Sequence, residues 1–159
     1  MPSTADVVTD AMRAANLLPN GDFEQDWKNI AHDTRWGDYT FEIVDGQAYH
    51  GKKCGCTTVI KQGWARFILE ANDLDTSKKY ALYCAVKCLD GAEAGNFWFI
   101  PGGMPAQLYT LGDTRGEWYR AVFHGIEIKE GTITVLPTVH AVPSKGRILW
   151  DDILLLPEE

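Results

Sequence analysis

From Leu17 onward, apolar and polar residues alternate in short runs separated by turn pairs such as Asn20-Gly21 and Asp45-Gly46. A two-residue alternation puts every second side chain on one face of a β-strand. In the run 79–88, for example, all the even-numbered positions are apolar. The runs that predict strands are 39–44, 53–61, 64–71, 79–88, 95–101, 117–127, 131–140 and 147–156.

Eight or nine strands with no helical pattern between them predict an all-β, antiparallel sandwich or barrel. Residues 17–159 then form one domain, and residues 1–16 precede it as a tail or a short helix with Thr4 as its N-cap. The segments 25–38 and 101–116 are interpreted as long connections, which are often functional in a compact domain.

The composition limits the classes of partner that the domain is expected to bind. The chain has 159 residues, with six each of Trp, Tyr and Phe, a high aromatic content. Its 15 Lys and Arg against 22 Asp and Glu give a net charge of −7, which argues against nucleic acid as a partner. No stretch is apolar for long enough to cross a bilayer, so we expect no membrane insertion. The first residues lack the pattern of a signal peptide, which leaves open where the parent protein works.

Motifs of catalysis are missing from the sequence. It has no G-x-S-x-G, no phosphate-binding Gly-Lys loop and no H-E-x-x-H, so we expect no enzyme. Cys54 and Cys56 form C-x-C, and Cys84 and Cys88 form C-x-x-x-C, neither of which is a common zinc spacing. Buried free thiols are the favoured interpretation, with a disulfide and a metal site as alternatives.

Four segments together resemble a known family. They are LLPNGDFEQ at 17–25, AYHGKKCGC at 48–56, WYRAVF at 118–123 and ILWDDILLLP at 148–157. In order and spacing they resemble the calcium-bound jelly-roll carbohydrate-binding modules of the galactose-binding-like superfamily, from about Leu17 to Leu156. The resemblance implies a two-sheet jelly roll, and it implies that Trp118 is a core residue.

The resemblance also implies a structural Ca²⁺. Its ligands would be the Glu24 side chain, the backbone of Asp22, a carbonyl near Lys52 or Lys53, and Asp151. A mixed set of carboxylate and carbonyl oxygens suits this ion. Strand parity puts Asp151 on the same inward face as Ile153 and Leu155, and it puts Asp152 outside; simple turn or cap carboxylates are the alternative.

Sugar recognition needs flat aromatic rings and a few planar polar groups. The outward parity of the strands and the long connections supply the candidates. They are Trp98, Tyr83, Lys87, Asn96, Trp36, Tyr39, Tyr109, Trp64 and His140.

These residues predict non-catalytic binding of a plant or microbial polysaccharide or oligosaccharide, across an aromatic face or at a loop rim. The domain would then target an attached enzyme or surface protein in a larger, extracellular or cell-surface parent. The alternative is a structural or adhesion module of the same fold, in a phage tail or cell-surface assembly, and the third hypothesis is a small glycan-active enzyme.

Overall fold

The computed structural model describes residues 3–4, 8–90, 92, 94–140 and 146–158. Within them the chain forms one short helix and nine strands. The elements are β1 (Ser3–Thr4), α1 (Asp10–Ala14), β2 (Ile30–Asp45), β3 (Lys53–Ala71), β4 (Lys79–Leu89), β5 (Ala94–Pro101), β6 (Gln107–Gly112), β7 (Trp118–Glu127), β8 (Ile133–His140) and β9 (Gly146–Glu158). No helix in the described ranges is long and apolar enough to cross a bilayer.

All strand pairs are antiparallel, in the order β1-β7-β4-β9-β3-β8-β5-β6, with β2 paired to β3. The long strand β3 changes neighbour along its length. Its segment 55–59 pairs with β9, and its segment from Trp64 to Ala71 pairs with β8. The sheet is therefore continuous and curled. We name the part with β1, β7, β4 and β9 the first half-sheet, and the part with β8, β5 and β6 the second half-sheet.

The bend in β2 and β3 lies where two glycines meet. The pairing of the two strands shifts register between Thr34 and Tyr39. At Gly63 a Cβ would lie 1.9 Å from the carbonyl oxygen of Trp36 and 2.4 Å from the Cα of Gly37, so no larger residue fits there. Such bulges and close backbone approaches let long strands turn sharply. The two glycines therefore let β2 and β3 serve both half-sheets.

The main core lies between the two half-sheets and is rich in aromatic rings. Phe123 of β7 lies 5.4 Å from both Phe97 and Phe99 of β5, between ring centroids. Trp150 of β9 is fully buried beside Phe97. Stacking between the halves closes the curled sheet, because large rings supply most of the apolar area that a β domain buries.

The N-terminal helix covers the outer face of the first half-sheet. Val8 and Met12 pack on a small cluster made by Ala81, Tyr83, Val122 and Leu154. Arg13 donates to the carboxylate of Asp152 at 2.9 Å, and buried Arg120 donates to the same carboxylate at 2.5 Å. The two guanidinium groups hold the pKa of Asp152 below its ordinary value, although burial alone would raise it.

The all-β, antiparallel fold class predicted from the alternation is confirmed, with differences in detail. The runs 53–61 and 64–71 are one strand, β3, and the supposed connections contain the start of β2 and all of β6. The helix begins after Thr9, whose hydroxyl accepts from the Met12 amide, and not at Thr4. The four cysteines are buried and free, and burial raises the pKa of Cys54 to about 12.

The predicted parity of the terminal strand was wrong. Asp152 has a positive φ of 50°, and the pairing of β4 with β9 shifts register there. This bulge returns Ile153 to the main core but leaves Asp151 on the side opposite Trp150. Asp152, expected in solvent, is buried between two arginines. Trp150, which the same parity puts on the side opposite the inward face, is a core residue.

Candidate functional site

The outer face of the second half-sheet carries most of the predicted sugar-binding residues. Alternation turns Phe97 and Phe99 of β5 into the core and leaves Asn96 and Trp98 on the opposite side. Residues paired with them share that side. We call this surface the open face, and its members are Asp33, Trp64, Arg66, Asn96, Trp98, Leu108, Thr110, Thr134, Leu136 and Thr138.

A row of polar residues crosses the open face in register. Asp33 pairs with Arg66, Arg66 with Thr138, Thr138 with Asn96, and Asn96 with Thr110. We call it the polar row. Four steps between neighbouring strands of about 4.8 Å give it a length of about 19 Å. It runs perpendicular to the strands.

Direct contacts fix the two ends of the polar row. Arg66 Nε donates to Asp33 Oδ1 at 2.9 Å and Arg66 Nη2 to Asp33 Oδ2 at 3.3 Å, a bidentate pair. At the other end Thr110 Oγ1 donates to Asn96 Oδ1 at 3.2 Å. Thr138 is fully buried, and its hydroxyl donates to the Leu136 carbonyl at 2.8 Å. The middle of the polar row is therefore buried, and the accessible polar groups lie at its two ends.

Two indole rings flank the polar row. The ring centroids of Trp64 and Trp98 are 6.0 Å apart, and their planes are inclined by 46°. The guanidinium carbons of Arg35 and Arg66 both lie 5.6 Å from the Trp64 ring, within cation–π range. Trp36 pairs with Trp64 across the strands and is 52% exposed. Aromatic and planar polar groups thus meet on one surface.

Other predicted ligand residues lie elsewhere. Tyr83 is only 8% exposed under α1, so its expected outward position does not make it accessible. Tyr39 is buried in the main core, where its hydroxyl accepts from the Gly63 amide at 2.8 Å. Tyr109 turns toward the core and packs 4.5 Å from Phe123. None of these three tyrosines lies on the open face.

The two remaining candidates, Lys87 and His140, lie on different half-sheets. Lys87 lies on the first half-sheet, with its Nζ 5.9 Å from the centroid of the Trp118 ring. His140 pairs with Trp64 at the end of β8, and its side chain lies outside the described part of the chain. Trp118 itself is only half-buried and packs against Cys54, Cys56 and Leu149, outside the main core.

The open face also contains Asp33, Arg66 and Thr110, none of which is among the predicted ligand residues. Asp33 and Thr110 fall in the segments 25–38 and 101–116, interpreted as connections, and Arg66 lies in the predicted strand 64–71. A signal of a strand was present, since Tyr109 and Thr110 in QLYTL at 107–111 are residue types that favour strands. The Gly and Pro residues before it obscured the strand.

The predicted calcium ligands lie around the loop before β3. Both oxygens of Glu24 accept from the Lys52 amide, at 3.0 and 3.1 Å, and Oε2 accepts from the Lys53 amide at 2.7 Å. Gly51 has a φ of +75°, and a Cβ there would lie 2.9 Å from the Glu24 carboxyl group, so the backbone wraps closely around it. Asp22 Oδ1 accepts from the Glu24 amide at 3.2 Å.

Asp151 borders the same loop from the other side. Its Oδ2 accepts from the His50 amide at 3.0 Å and its Oδ1 from the Asp152 amide at 2.7 Å. The side chain has no exposure to solvent. Burial, together with the charges of Asp152 and Glu24, raises its pKa to about 8, in spite of these two hydrogen bonds. A buried carboxylate is stable only beside a partner of opposite charge or strong hydrogen-bond donors.

A cation beside this loop would meet two carboxylates, those of Glu24 and Asp151. Among the described residues, no group of three or more His, Cys, Asp or Glu side chains is placed to hold a metal. Each carboxylate oxygen retains lone pairs beyond its present bonds. Glu24 and Asp151 place their carboxylates on opposite sides of this loop, and oxygen ligands of this kind suit Ca²⁺ better than Zn²⁺.

Comparisons of sequence find no match for this chain, whereas comparisons of structure do. No protein-family model matches the chain. No curated protein matches it in sequence.

Solved structures, in contrast, superpose well. TmCBM61 in complex with β-1,4-galactotriose has a TM-score of 0.75 at 16% identity, covering 90% of this chain and 99% of its own. The family 11 carbohydrate-binding module from Clostridium thermocellum, in complex with a β-1,3-1,4-mixed-linked tetrasaccharide, has a TM-score of 0.60 at 15% identity, covering 85% and 92%.

A further neighbour belongs to a larger protein. The enzymatically active domain of the bacteriophage CBA120 tailspike protein 4 has a TM-score of 0.75 at 11% identity. The match covers 91% of this chain but only 22% of the tailspike chain. At these identities all three likenesses show the fold alone, which is that of jelly-roll carbohydrate-binding modules.

Proposed function

We propose that this domain binds a neutral polysaccharide without catalysis, on the open face, as a jelly-roll module of the galactose-binding-like type. The observation that carries the proposal is the polar row flanked by Trp64 and Trp98. The fold neighbours support it, because two of them are described in complex with oligosaccharides.

The chemistry of the open face suits sugar rings. Indole rings stack on the apolar faces of pyranoses, and fixed planar groups hydrogen-bond neighbouring hydroxyls. Arg66 is held by Asp33 in a bidentate pair, so its guanidinium is already oriented when a ligand arrives. The paired charges largely offset each other, which favours a neutral glycan.

Affinity electrophoresis against β-1,4-galactan, mixed-linkage β-glucan and xylan tests this proposal. We expect at least one glycan to retard the wild-type domain, and we expect Trp98→Ala to abolish the retardation. Trp27→Ala is the matched control, because Trp27 is an exposed tryptophan that packs near Phe67, away from the open face. Equal retardation of Trp98→Ala and the wild type would refute the proposed site.

We also propose that Ca²⁺ binds beside Glu24 and Asp151 and stabilises the loop before β3 without touching the glycan. The support is the buried Asp151 carboxylate and the raised pKa that burial gives it. Millimolar Ca²⁺ should raise the melting temperature of chelator-treated protein, and Asp151→Asn should remove that response. An unchanged melting temperature, with no calcium found by elemental analysis, would contradict the proposal.

In the parent protein, such a module would hold an attached enzyme or surface protein on its polysaccharide, outside the cell or at its surface. The tailspike neighbour supports a second candidate, a structural module in a phage-tail or cell-surface assembly. The two differ in one measurement. A structural module would show no retardation by any of the glycans, and Trp64 and Trp98 would bury against protein.

A further inference from the structure

A second feature lies where the polar row ends. A cleft of about 450 Å³ opens beside β6, between the end of that strand and the start of β7. Its volume falls within the range of roughly 300–1,000 Å³ that is usual for small-ligand sites. Trp64 and Trp98 do not line it.

The lining of the cleft combines aromatic, hydroxyl and carboxylate groups. Trp118 and Tyr119 line it at the start of β7, and Asp113 and Glu117 contribute the acids. Both acids are exposed. Ionised carboxylates accept two or more hydrogen bonds, so they suit pairs of sugar hydroxyls and disfavour a ligand that is itself anionic.

The loop that carries these acids is held in place before any ligand binds. Thr114 Oγ1 accepts from the Cys88 amide at 2.7 Å, and the Gly116 amide donates to the Cys88 carbonyl at 2.9 Å. Asp113 Oδ1 accepts from the Arg115 amide at 2.7 Å. A loop tied to β4 in this way loses little conformational freedom on binding.

One residue joins the cleft to the open face. Thr110 is the last member of the polar row, bonded to Asn96, and it also lines the cleft. Within the described residues β6 pairs only with β5, so it is the edge of the second half-sheet. A chain that follows the row past Thr110 therefore leaves the sheet directly into the cleft.

We propose that the cleft is an end subsite for the glycan bound on the open face. Trp118 supplies apolar contact and Glu117 accepts hydroxyl hydrogen bonds from the sugar unit beyond Thr110. The inference rests on the proposed function. It adds a prediction of its own, that longer neutral oligosaccharides gain affinity from Glu117 and short ones do not.

Titration calorimetry with a ladder of β-1,4-galacto-oligosaccharides, from disaccharide to hexasaccharide, tests the length dependence. Mixed-linked β-gluco- and β-1,4-xylo-oligosaccharide ladders are run in parallel. Glu117→Ala should weaken the hexasaccharide about tenfold and leave the disaccharide unchanged. Glu42→Ala is the matched control, since Glu42 is an exposed glutamate on β2 that does not line the cleft. A ladder of oligogalacturonates should gain nothing from Glu117.

The indole N–H resonance of Trp118, assigned through Trp118→Phe, gives a second readout by NMR. It should shift with the hexasaccharide and stay in place with the disaccharide. If Trp98→Ala abolishes binding while Glu117→Ala matches the wild type at every length, the end subsite is refuted and the proposed function stands. If the wild type binds none of the ladders, both are refuted.

Discussion

The two outer faces of the curled sheet differ in what lies over them. On the first half-sheet, α1 packs over Tyr83, and Arg13 ties the helix to Asp152. On the second half-sheet, Trp64 and Trp98 flank a polar row, and neighbouring Trp36 is half exposed. Both faces alternate in the same way along their strands. The first face is covered around Tyr83, whereas the second carries the polar row and its tryptophans.

The difference shows what strand parity can and cannot say. Parity correctly separates Tyr83 from the main core, since it belongs to a different cluster. It cannot say that Val8 and Met12, far away in sequence, will cover that ring. An outward aromatic residue is therefore a site candidate only when nothing else packs on its face.

The largest expected effect is on the covered face. Asp152→Ala leaves buried Arg120 without its carboxylate partner, so the free energy of unfolding should fall by about 3–5 kcal/mol. Urea denaturation measures it, with exposed Asp38→Ala as the control. Glycan affinity of the folded protein should stay the same. A loss below about 1 kcal/mol would mean that the covering helix contributes little.

Tyr83→Ala should come next, with a loss of about 3 kcal/mol, because it empties the space under α1. The same measurement on Leu108→Ala, an exposed residue of the open face, should show a change below about 1 kcal/mol. If Tyr83→Ala weakened glycan binding while stability held, the comparison between the two faces would be reversed.

Asp33→Ala separates the contribution of an open-face residue to stability from its contribution to glycan affinity. The ion pair with Arg66 is partly exposed, so its loss should cost under about 1 kcal/mol in unfolding. Glycan affinity should nevertheless fall, because Arg66 loses the partner that orients it. Calorimetric titration alongside urea denaturation separates the two quantities. An unchanged affinity would remove Arg66 from the binding site.

The smallest expected effect is a pH dependence at the far end of β9. Burial alone would raise the pKa of Glu158, but hydrogen bonds from the Gly125 amide and His124 outweigh it and lower that pKa. A lowered pKa stabilises the fold above the ordinary glutamate value of about 4.3, and this stabilisation is lost as the pH falls further. Glu158→Gln should remove a few tenths of a kcal/mol of this acid sensitivity. The urea midpoints of both proteins at pH 7 and pH 3 measure this effect. An equal change in midpoint for the two proteins would contradict it.

The sequence predicted those parts of the open face that depend on one strand alone. Alternation within β5 turns Asn96 and Trp98 away from the core, and alternation within β3 does the same for Trp64. Asp33 and Thr110 depend on the pairing of neighbouring strands, which only the fold supplies. The polar row was therefore beyond reach of periodicity.

The terminal strand failed for a different reason. One residue with a positive φ, Asp152, inserts a bulge, and every parity assignment before it is reversed relative to those after it. Nothing in the letters ILWDDILLL distinguishes a bulged strand from a regular one. As a result, Trp150 and Asp151 each lie on the side of the sheet opposite to the one that parity predicts.

The contact between Gly37 and Gly63 also determines how the domain comes apart. Since β2 and β3 run through both half-sheets, each half depends on the same hairpin for its hydrogen bonds. If one half-sheet opens, β2 and β3 are disturbed, and the other half-sheet loses its pairing with them. Heat should therefore unfold the two halves in a single cooperative transition, with equal calorimetric and van't Hoff enthalpies.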